Sequence, residues 1–121
     1  MDKVQNSKPY DLEDRTLKFA KDVRSYIKKI SRTISNIEDG KQVVRSSGSI
    51  GANYIEANES LSKKDFVMRI KISRKEAKES RYWLELIDTN NDMELDKERA
   101  RLINESTELM KILSAIIIKS C

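Results

Sequence analysis

The stretch Val43–Ile87 constrains the fold most, because it holds two helical patterns back to back. In the first pattern, apolar or small residues recur at spacings of three and four, namely Val43, Ser47, Ile50, Tyr54, Ala57 and Leu61. The second pattern has the same spacings and comprises Phe66, Ile70, Ser73, Ala77, Ser80, Leu84 and Ile87. Such a period keeps one seam of a helix against a neighbour. Ser62, with Asp65 three residues later, resembles a capping box. The stretch therefore predicts a helical hairpin with its turn near Leu61–Ser62.

The remaining sequence predicts two further helices, one on each side of this hairpin. Asp11 can cap the first, and the dipeptides Ser35-Asn36 and Asp39-Gly40 predict a break within residues 31–40. Thr89-Asn90-Asn91-Asp92 predicts the turn before the last helix. We therefore predict an all-α protein, an antiparallel up-down four-helix bundle, with helices at about 11–31, 41–61, 63–88 and 94–119. Residues 1–10, closed by Pro9, are predicted to be a flexible lead-in.

Two glycines, Gly48 and Gly51, lie inside the second predicted helix and are followed by Ala52. Each glycine costs about 1 kcal/mol of helix stability relative to alanine, so an offsetting contact is expected. Small side chains would let another backbone approach closely. The alternative is a phosphate-binding loop, but no strand precedes the segment and no Gly-Lys-Ser/Thr signature is present.

Composition makes an enzyme, a cofactor site or a metal site an unexpected outcome. The chain has no histidine, the commonest general base and metal ligand, and its single cysteine is Cys121. A di-iron bundle would need two Glu-x-x-His motifs. A glycosidase-like carboxylate pair remains an alternative, but nothing in the sequence fixes a separation. We instead expect Glu56 or Glu59 to pair with Arg69 or Arg74 across the hairpin, with Asn53 satisfied inside.

Hydropathy predicts neither a membrane span nor a secretory signal. No apolar run approaches the roughly 20 residues that a span requires, and the polar first nine residues lack a signal-peptide core. We therefore expect a cytoplasmic protein with no membrane partner.

The positive charge is concentrated in the first and third predicted helices, although the formal net charge is only +4. Basic residues recur at helical spacing along both, at Lys18, Lys21, Arg24, Lys28 and Arg32, and at Lys71, Arg74, Lys75, Lys78 and Arg81. Such rows are typical of polyanion binding. The alternative is a solvated face neutralised by pairs such as Lys75–Glu79 and Arg81–Glu85. Because the two helices are diagonal in an up-down bundle, a continuous basic surface would require neighbouring subunits.

Several segments resemble one known family. They are Leu12-Glu13-Asp14-Arg15, Ser46-Ser47-Gly48-Ser49-Ile50-Gly51-Ala52-Asn53-Tyr54-Ile55-Glu56-Ala57-Asn58-Glu59, Lys64-Asp65-Phe66, Arg69-Ile70-Lys71-Ile72-Ser73-Arg74-Lys75-Glu76-Ala77-Lys78-Glu79-Ser80 and Tyr82-Trp83-Leu84. The chain is similar, over about residues 10–118, to the bacterial four-helix bundle proteins first noticed as reading frames in intervening sequences of 23S ribosomal RNA genes. The accessory variability determinant of diversity-generating retroelements is a relative of that family.

The resemblance implies a barrel-like homopentamer with a basic surface and no catalytic residues to carry over. In the retroelement relative, that surface engages nucleic acid and a reverse transcriptase. Combining charge with the resemblance, we predict a non-enzymatic oligomer that binds RNA or DNA through Arg15, Lys18, Lys21, Arg24, Lys28, Arg69, Lys71, Arg74, Lys75 and Lys78. The alternative is a protein-binding scaffold with no nucleic-acid role, suggested by Trp83 and by wide apolar stripes on the last two helices.

Overall fold

Each helix begins at a side chain that caps it. In the computed structural model, which describes residues 11–121, the helices are α1 (Leu12–Ile27), α2 (Ile34–Asn58), α3 (Lys63–Leu86) and α4 (Met93–Ser120), and this part of the chain contains no strand. The caps are Asp11, Thr33, Ser62 and Asp92, and each accepts a hydrogen bond from the backbone N–H three residues later. The predicted all-α class is confirmed. The predicted lead-in, residues 1–10, lies outside the described residues.

The helices pack in the cyclic order of an up-down bundle. α1 and α3 each pack against α2 and α4, and within residues 11–121 the backbones of the diagonal pairs, α1 with α3 and α2 with α4, stay more than 8 Å apart between Cα atoms. Short connections reverse the chain between consecutive helices, and Asn90 and Asn91 adopt positive φ values of 54° and 62° in the last of them. Asparagine tolerates this left-handed conformation better than most residues. No helix in the described part is both long and apolar enough to cross a membrane.

The core follows the predicted seams closely. It contains Val43, Ile50 and Ala57 from α2, and Ile70, Ala77 and Leu84 from α3, together with Phe19, Val23 and Tyr26 from α1 and Leu102, Leu109 and Leu113 from α4. The seams weaken near the hairpin turn, where Tyr54 and Phe66 are only partly buried and Leu61 is fully exposed. The turn occupies residues 59–62, so Leu61 lies outside both helices.

The start of α2 differs from the prediction, because the helix begins at Ile34 and not near residue 41. Asn36 explains the difference. Its side-chain amide donates to the carbonyls of Ser31 and Asp88, both at 2.9 Å, and its carbonyl accepts from the Asp88 N–H at 2.8 Å. Asn36 therefore ties the first turn of α2 to the chain after α3. Ser35-Asn36 and Asp39-Gly40 both lie inside α2, so the two dipeptides do not form the predicted turns.

Hydroxyl groups line the contact between α2 and α3. The Ser46 and Ser80 hydroxyls lie 2.7 Å apart in the buried interior, and the Ser73 hydroxyl donates to the Ile50 carbonyl at 2.7 Å. Serine and alanine side chains, including the buried Ala77, are short enough to let two helix backbones approach. Because each buried hydroxyl has a partner, this close contact leaves no unpaired serine.

The predicted close approach at the α2 glycines occurs at Gly51. A Cβ placed there would lie 2.7 Å from the Thr16 hydroxyl oxygen on α1 and 3.2 Å from its Cβ. At Gly48 the nearest atom would be the Nη2 of Arg24, at 3.3 Å, which is the tip of a flexible side chain. Ala52 is exposed. At Gly51, therefore, α1 lies too close to α2 for a side chain to fit without a shift of Thr16.

Candidate nucleic-acid interface

The ten predicted nucleic-acid-binding residues do not form one surface on a single chain. Five lie on α1 or its C-terminal cap and five lie on α3, at opposite corners of the bundle. The ten residues also differ in what they contact. Four of the ten, all arginines, bond to a neighbouring helix, and the six lysines lie on outward faces.

The face shared by α1 and α4 is crossed by ion pairs. The guanidinium of Arg15 grips the Glu105 carboxylate through two bonds, Nε to Oε2 at 2.7 Å and Nη2 to Oε1 at 2.9 Å. A bidentate contact of this kind is among the stronger ion pairs in proteins. Lys18 and Arg101 both approach Asp22, at 3.0 Å and 3.4 Å. Arg15 therefore acts here as a tie between helices, and Lys18 is partly neutralised.

The remaining basic residues of α1 are spread over two directions. Arg24 turns toward α2, where its Nη2 donates to the Val44 carbonyl at 3.3 Å. Lys21 and Lys28 are exposed and form no ion pair with any described residue. At about 100° per residue, Asp14 lies on the same outward face as these two lysines. The outward face of α1 therefore mixes both signs of charge.

The arginines of α3 point sideways, toward the neighbouring helices. Arg69 donates to the Asn53 side-chain oxygen on α2 at 3.2 Å, and Arg74 donates to the Ser114 hydroxyl on α4 at 3.1 Å. Neither pairs with Glu56 or Glu59, so the predicted ion pairs across the hairpin were wrong. Asn53 is satisfied as predicted, since its amide also donates to the Ser49 carbonyl.

Four of the five lysines of α3 form what we call the outward lysine row, defined as Lys64, Lys71, Lys75 and Lys78. All four are exposed, and none forms an ion pair within residues 11–121. The alternative of a solvated, neutralised face would pair Lys75 with Glu79, but Glu79 approaches Arg45 of α2 at 3.5 Å. Arg45 also holds the buried Glu76 at 3.0 Å. The acids of α3 that could neutralise the row are therefore drawn toward α2.

The row is straight and extends along most of α3. With about 100° per residue, its four lysines and Tyr82 fall within an arc of about 60°. With a rise of about 1.5 Å per residue, Lys64 and Lys78 are separated by about 21 Å along the axis. Tyr82 is 55% exposed and lies one turn after Lys78. Glu85 and Leu86 follow on the same side and end the row.

Sequence reasoning missed Lys64 and Tyr82 as members of this face. The signal that could have found Lys64 is the seven-residue spacing of Lys64, Lys71 and Lys78, which repeats one position over two helical turns. Tyr82 follows Lys78 at a spacing of four. Both residues lie in segments that carry the family resemblance, outside the two rows that charge and spacing pick out.

Tyr26, in the core, has a strongly shifted pKa. Burial raises the pKa of Tyr26 to about 12, with the nearby Arg99 opposing the shift. The Tyr26 hydroxyl forms no hydrogen bond with the described residues. In the same part of the chain, no cluster of three or more Asp, Glu or Cys side chains is placed to hold a metal ion.

Comparison with known proteins is consistent with this architecture. The model of the family described as 23S rRNA-intervening sequence protein matches residues 10–115. The chain belongs to this family. A crystal structure of a protein of unknown function from the S23 ribosomal protein family of Bacteroides thetaiotaomicron VPI-5482 is 35% identical to it, with a TM-score of 0.71. That similarity covers 87% of this chain and 96% of the other. No curated protein sequence matches the chain.

Proposed function

We propose that this family member is a non-enzymatic, oligomeric protein that binds nucleic acid through the outward lysine row of α3. The observation that carries the proposal is the absence of any ion pair to these lysines within residues 11–121, although acids lie one turn away on the same helix. The ammonium groups are thus available for phosphates. RNA and DNA both present such phosphates, and the name of the family refers to 23S rRNA.

The spacing of the row suits contacts to a phosphate backbone. Successive lysines from Lys71 to Lys78 are separated by about 6 and 4.5 Å along the axis, and each is a mobile point charge on a long stem. Binding through phosphates releases counterions, so affinity should fall steeply as salt rises. The modest net charge of +4 means that the local row, and not the overall charge, must supply the attraction.

The proposal narrows the ten predicted residues. It keeps Lys71, Lys75 and Lys78 and adds Lys64. Arg15, Arg69 and Arg74 are assigned to ties between helices, because their guanidinium groups are occupied by Glu105, Asn53 and Ser114. The α1 residues Lys18, Lys21, Arg24 and Lys28 are not part of the proposed face, and Lys18 and Lys28 serve as control positions in the experiment.

Self-association is part of the proposal, because a single chain has a narrow basic face. A groove of about 520 Å³ between α1 and α2 is lined by small and apolar residues, among them Leu17, Ala20, Gly48, Ala52 and Ile55. Leu17 is 53% exposed, and a partner copy would cover it. In the pentamer that the family resemblance implies, copies of the lysine row would repeat around the assembly. Light scattering on wild type and on Leu17→Glu tests this step, since the variant should have the lower mass.

The binding proposal is tested with two variants of equal charge. We expect Lys71→Glu/Lys75→Glu/Lys78→Glu to weaken binding to a labelled RNA hairpin by about 100-fold at 50 mM salt, because three phosphate contacts become repulsive. The control is Lys18→Glu/Lys28→Glu/Lys111→Glu, at exposed lysines outside both the row and the α1–α2 groove. It makes the same change in net charge and should alter affinity by only about threefold. Fluorescence anisotropy measures both.

Two results would contradict this function. One is wild-type protein that binds neither the RNA hairpin nor duplex DNA at 50 mM salt while its oligomer remains intact. The other is an equal loss of affinity in both triple variants, which would mean that only net charge matters. Circular dichroism and light scattering must first show that each variant keeps its helix content and its mass.

The second candidate function is a scaffold for a protein partner such as a reverse transcriptase. The exposed apolar groove between α1 and α2 favours it. Trp83 does not, because its indole N–H is buried and its ring packs against the core. Pull-down from the native host with and without nuclease separates the two functions. A partner retained at high salt after nuclease treatment favours the scaffold.

A further inference from the structure

Tyr82 is an aromatic side chain on a face otherwise occupied by lysine. It lies one turn beyond Lys78 on the outward side of α3, and more than half of its surface is accessible. Its ring meets the ring of Trp83 edge to face, with centroids 5.1 Å apart and planes inclined by 71°. Trp83 is itself anchored against the core. The Tyr82 ring is therefore supported from one side and open to solvent on the other.

The combination of a cationic row and a supported ring is specific for one form of nucleic acid. Phosphates along either a duplex or an unpaired strand can contact lysines. Only an unpaired strand also offers the flat face of a base to an aromatic ring, because duplex bases are stacked on each other. Grooves that bind single strands combine these same two elements, cations for the backbone and aromatic rings for the bases.

The charge pattern around Tyr82 also indicates where along α3 the phosphates and the base of a bound strand would lie. Before Tyr82, the charged residues on the outward face of α3 are all lysines, whereas Glu85 follows Tyr82 on the other side. A phosphate beyond Tyr82 would meet the Glu85 carboxylate. The positive part of the face thus ends at the ring, where a base rather than a phosphate can be accommodated.

We infer that the outward face of α3 binds an unpaired nucleic-acid strand, with its phosphates on Lys71, Lys75 and Lys78 and one base stacked on Tyr82. This inference rests on the proposed function and narrows its ligand from nucleic acid in general to single-stranded segments. RNA and DNA strands share the necessary phosphate and base chemistry, so both belong in the test.

The experiment compares Tyr82→Ala with Tyr82→Phe on three labelled probes, a 12-nucleotide RNA, the DNA of the same sequence, and the blunt duplex of that DNA. Loss of one base–aromatic stack should weaken binding of Tyr82→Ala to both single strands by roughly 5- to 100-fold. Tyr82→Phe keeps the ring and should stay within about twofold of wild type. Binding to the duplex should be the same for all three proteins.

A second measurement uses the unmutated protein. Irradiation of a 4-thiouridine-containing RNA strand bound to wild type should place a cross-link at Tyr82 by mass spectrometry. Single-strand affinity that is unchanged in Tyr82→Ala, or tighter binding to the duplex than to either single strand, overturns the inference. If the Lys71, Lys75 and Lys78 variant still loses affinity, the proposed function survives that outcome. A wild-type protein that binds none of the probes overturns both.

Discussion

α1 and α3 carry similar rows of basic residues in sequence but use them differently. On α1, Arg15 and Arg24 reach neighbouring helices, where they bond to Glu105 and to the Val44 carbonyl. On α3, the contact with α2 is made by short side chains such as Ser73 and Ser80. The arginines therefore help to hold both helices in the bundle, since Arg69 and Arg74 of α3 also reach neighbouring helices. The helices differ in their lysines, because Lys18 of α1 pairs with Asp22 whereas the outward lysine row of α3 forms no ion pair within residues 11–121.

The difference shows why counting charges along a helix does not identify a polyanion site. The partner of each cation decides whether it is available. Asp22 and Glu105 occupy cations at the α1 face, whereas Arg45 of α2 draws Glu76 and Glu79 away from the lysines of α3. The following predictions test whether the two helices are attached as differently as these contacts indicate.

The largest expected effect concerns the serine contact of α3. Ser80→Leu forces a larger side chain into a closed interface and leaves the Ser46 hydroxyl with a poorer partner. We expect a loss of about 3 kcal/mol in the free energy of unfolding. The control is Ser25→Leu on the exposed side of α1, which should change stability by about 0.5 kcal/mol or less. Urea unfolding measures both, and a tolerated Ser80→Leu would show that α2 and α3 pack loosely.

The second prediction concerns the buried Tyr26 of α1. Below pH 10 the tyrosine is neutral in both states, and above it the unfolded chain ionises while the folded chain stays neutral until about pH 12. Wild type should therefore lose stability as pH rises from 10 to 12, by about 1.4 kcal/mol per unit in the steepest part. Tyr26→Phe should lack this component. Parallel unfolding curves for the two proteins across this range would contradict the burial of the hydroxyl.

The third prediction concerns the ion pairs of α1. Arg15→Ala removes a half-buried bidentate pair and should lower the free energy of unfolding by about 1 kcal/mol. Lys18→Ala removes an exposed pair with Asp22 and should cost only about 0.3 kcal/mol. Thermal unfolding at low salt compares the two. Equal small effects would mean that α1 is held by apolar contacts alone.

The fourth prediction is a difference in sign between two glycines. Gly51→Ala places a methyl group against the stiff, buried Thr16, so we expect a net loss of about 1 kcal/mol despite the better helix propensity. Gly48→Ala meets only the mobile tip of Arg24 and should gain about 0.5 kcal/mol. Melting temperatures that rise in both variants would show that α1 lies farther from α2 than the structure places it.

The periodic part of the fold could be predicted from the sequence. Ile70, Ser73, Ala77, Ser80 and Leu84 all became buried, because a 3.5-residue repeat defines which side of a helix meets its neighbours. The start of α2 at Ile34 could not be predicted from the sequence. It depends on Asn36 meeting Asp88, which is 52 positions away in the chain, and local turn propensity carries no information about that contact.

The candidate site could be predicted only in part, for a related reason. Spacing alone placed Lys71, Lys75 and Lys78 on one side of α3, and the structure agrees. Spacing also grouped Arg74 with them, but that guanidinium reaches Ser114 on α4. Which partner a long side chain takes depends on how the adjacent helices are rotated. That rotation is a property of the assembled bundle and not of any one segment.

The most direct test of the central claim is lysine footprinting of the wild-type protein. Acetylation rates of individual lysines, measured by mass spectrometry with and without a saturating RNA strand, need no mutation. The account predicts that Lys71, Lys75 and Lys78 become protected while Lys18, Lys21 and Lys28 react at unchanged rates. Protection of the α1 lysines with no change on α3 would contradict it.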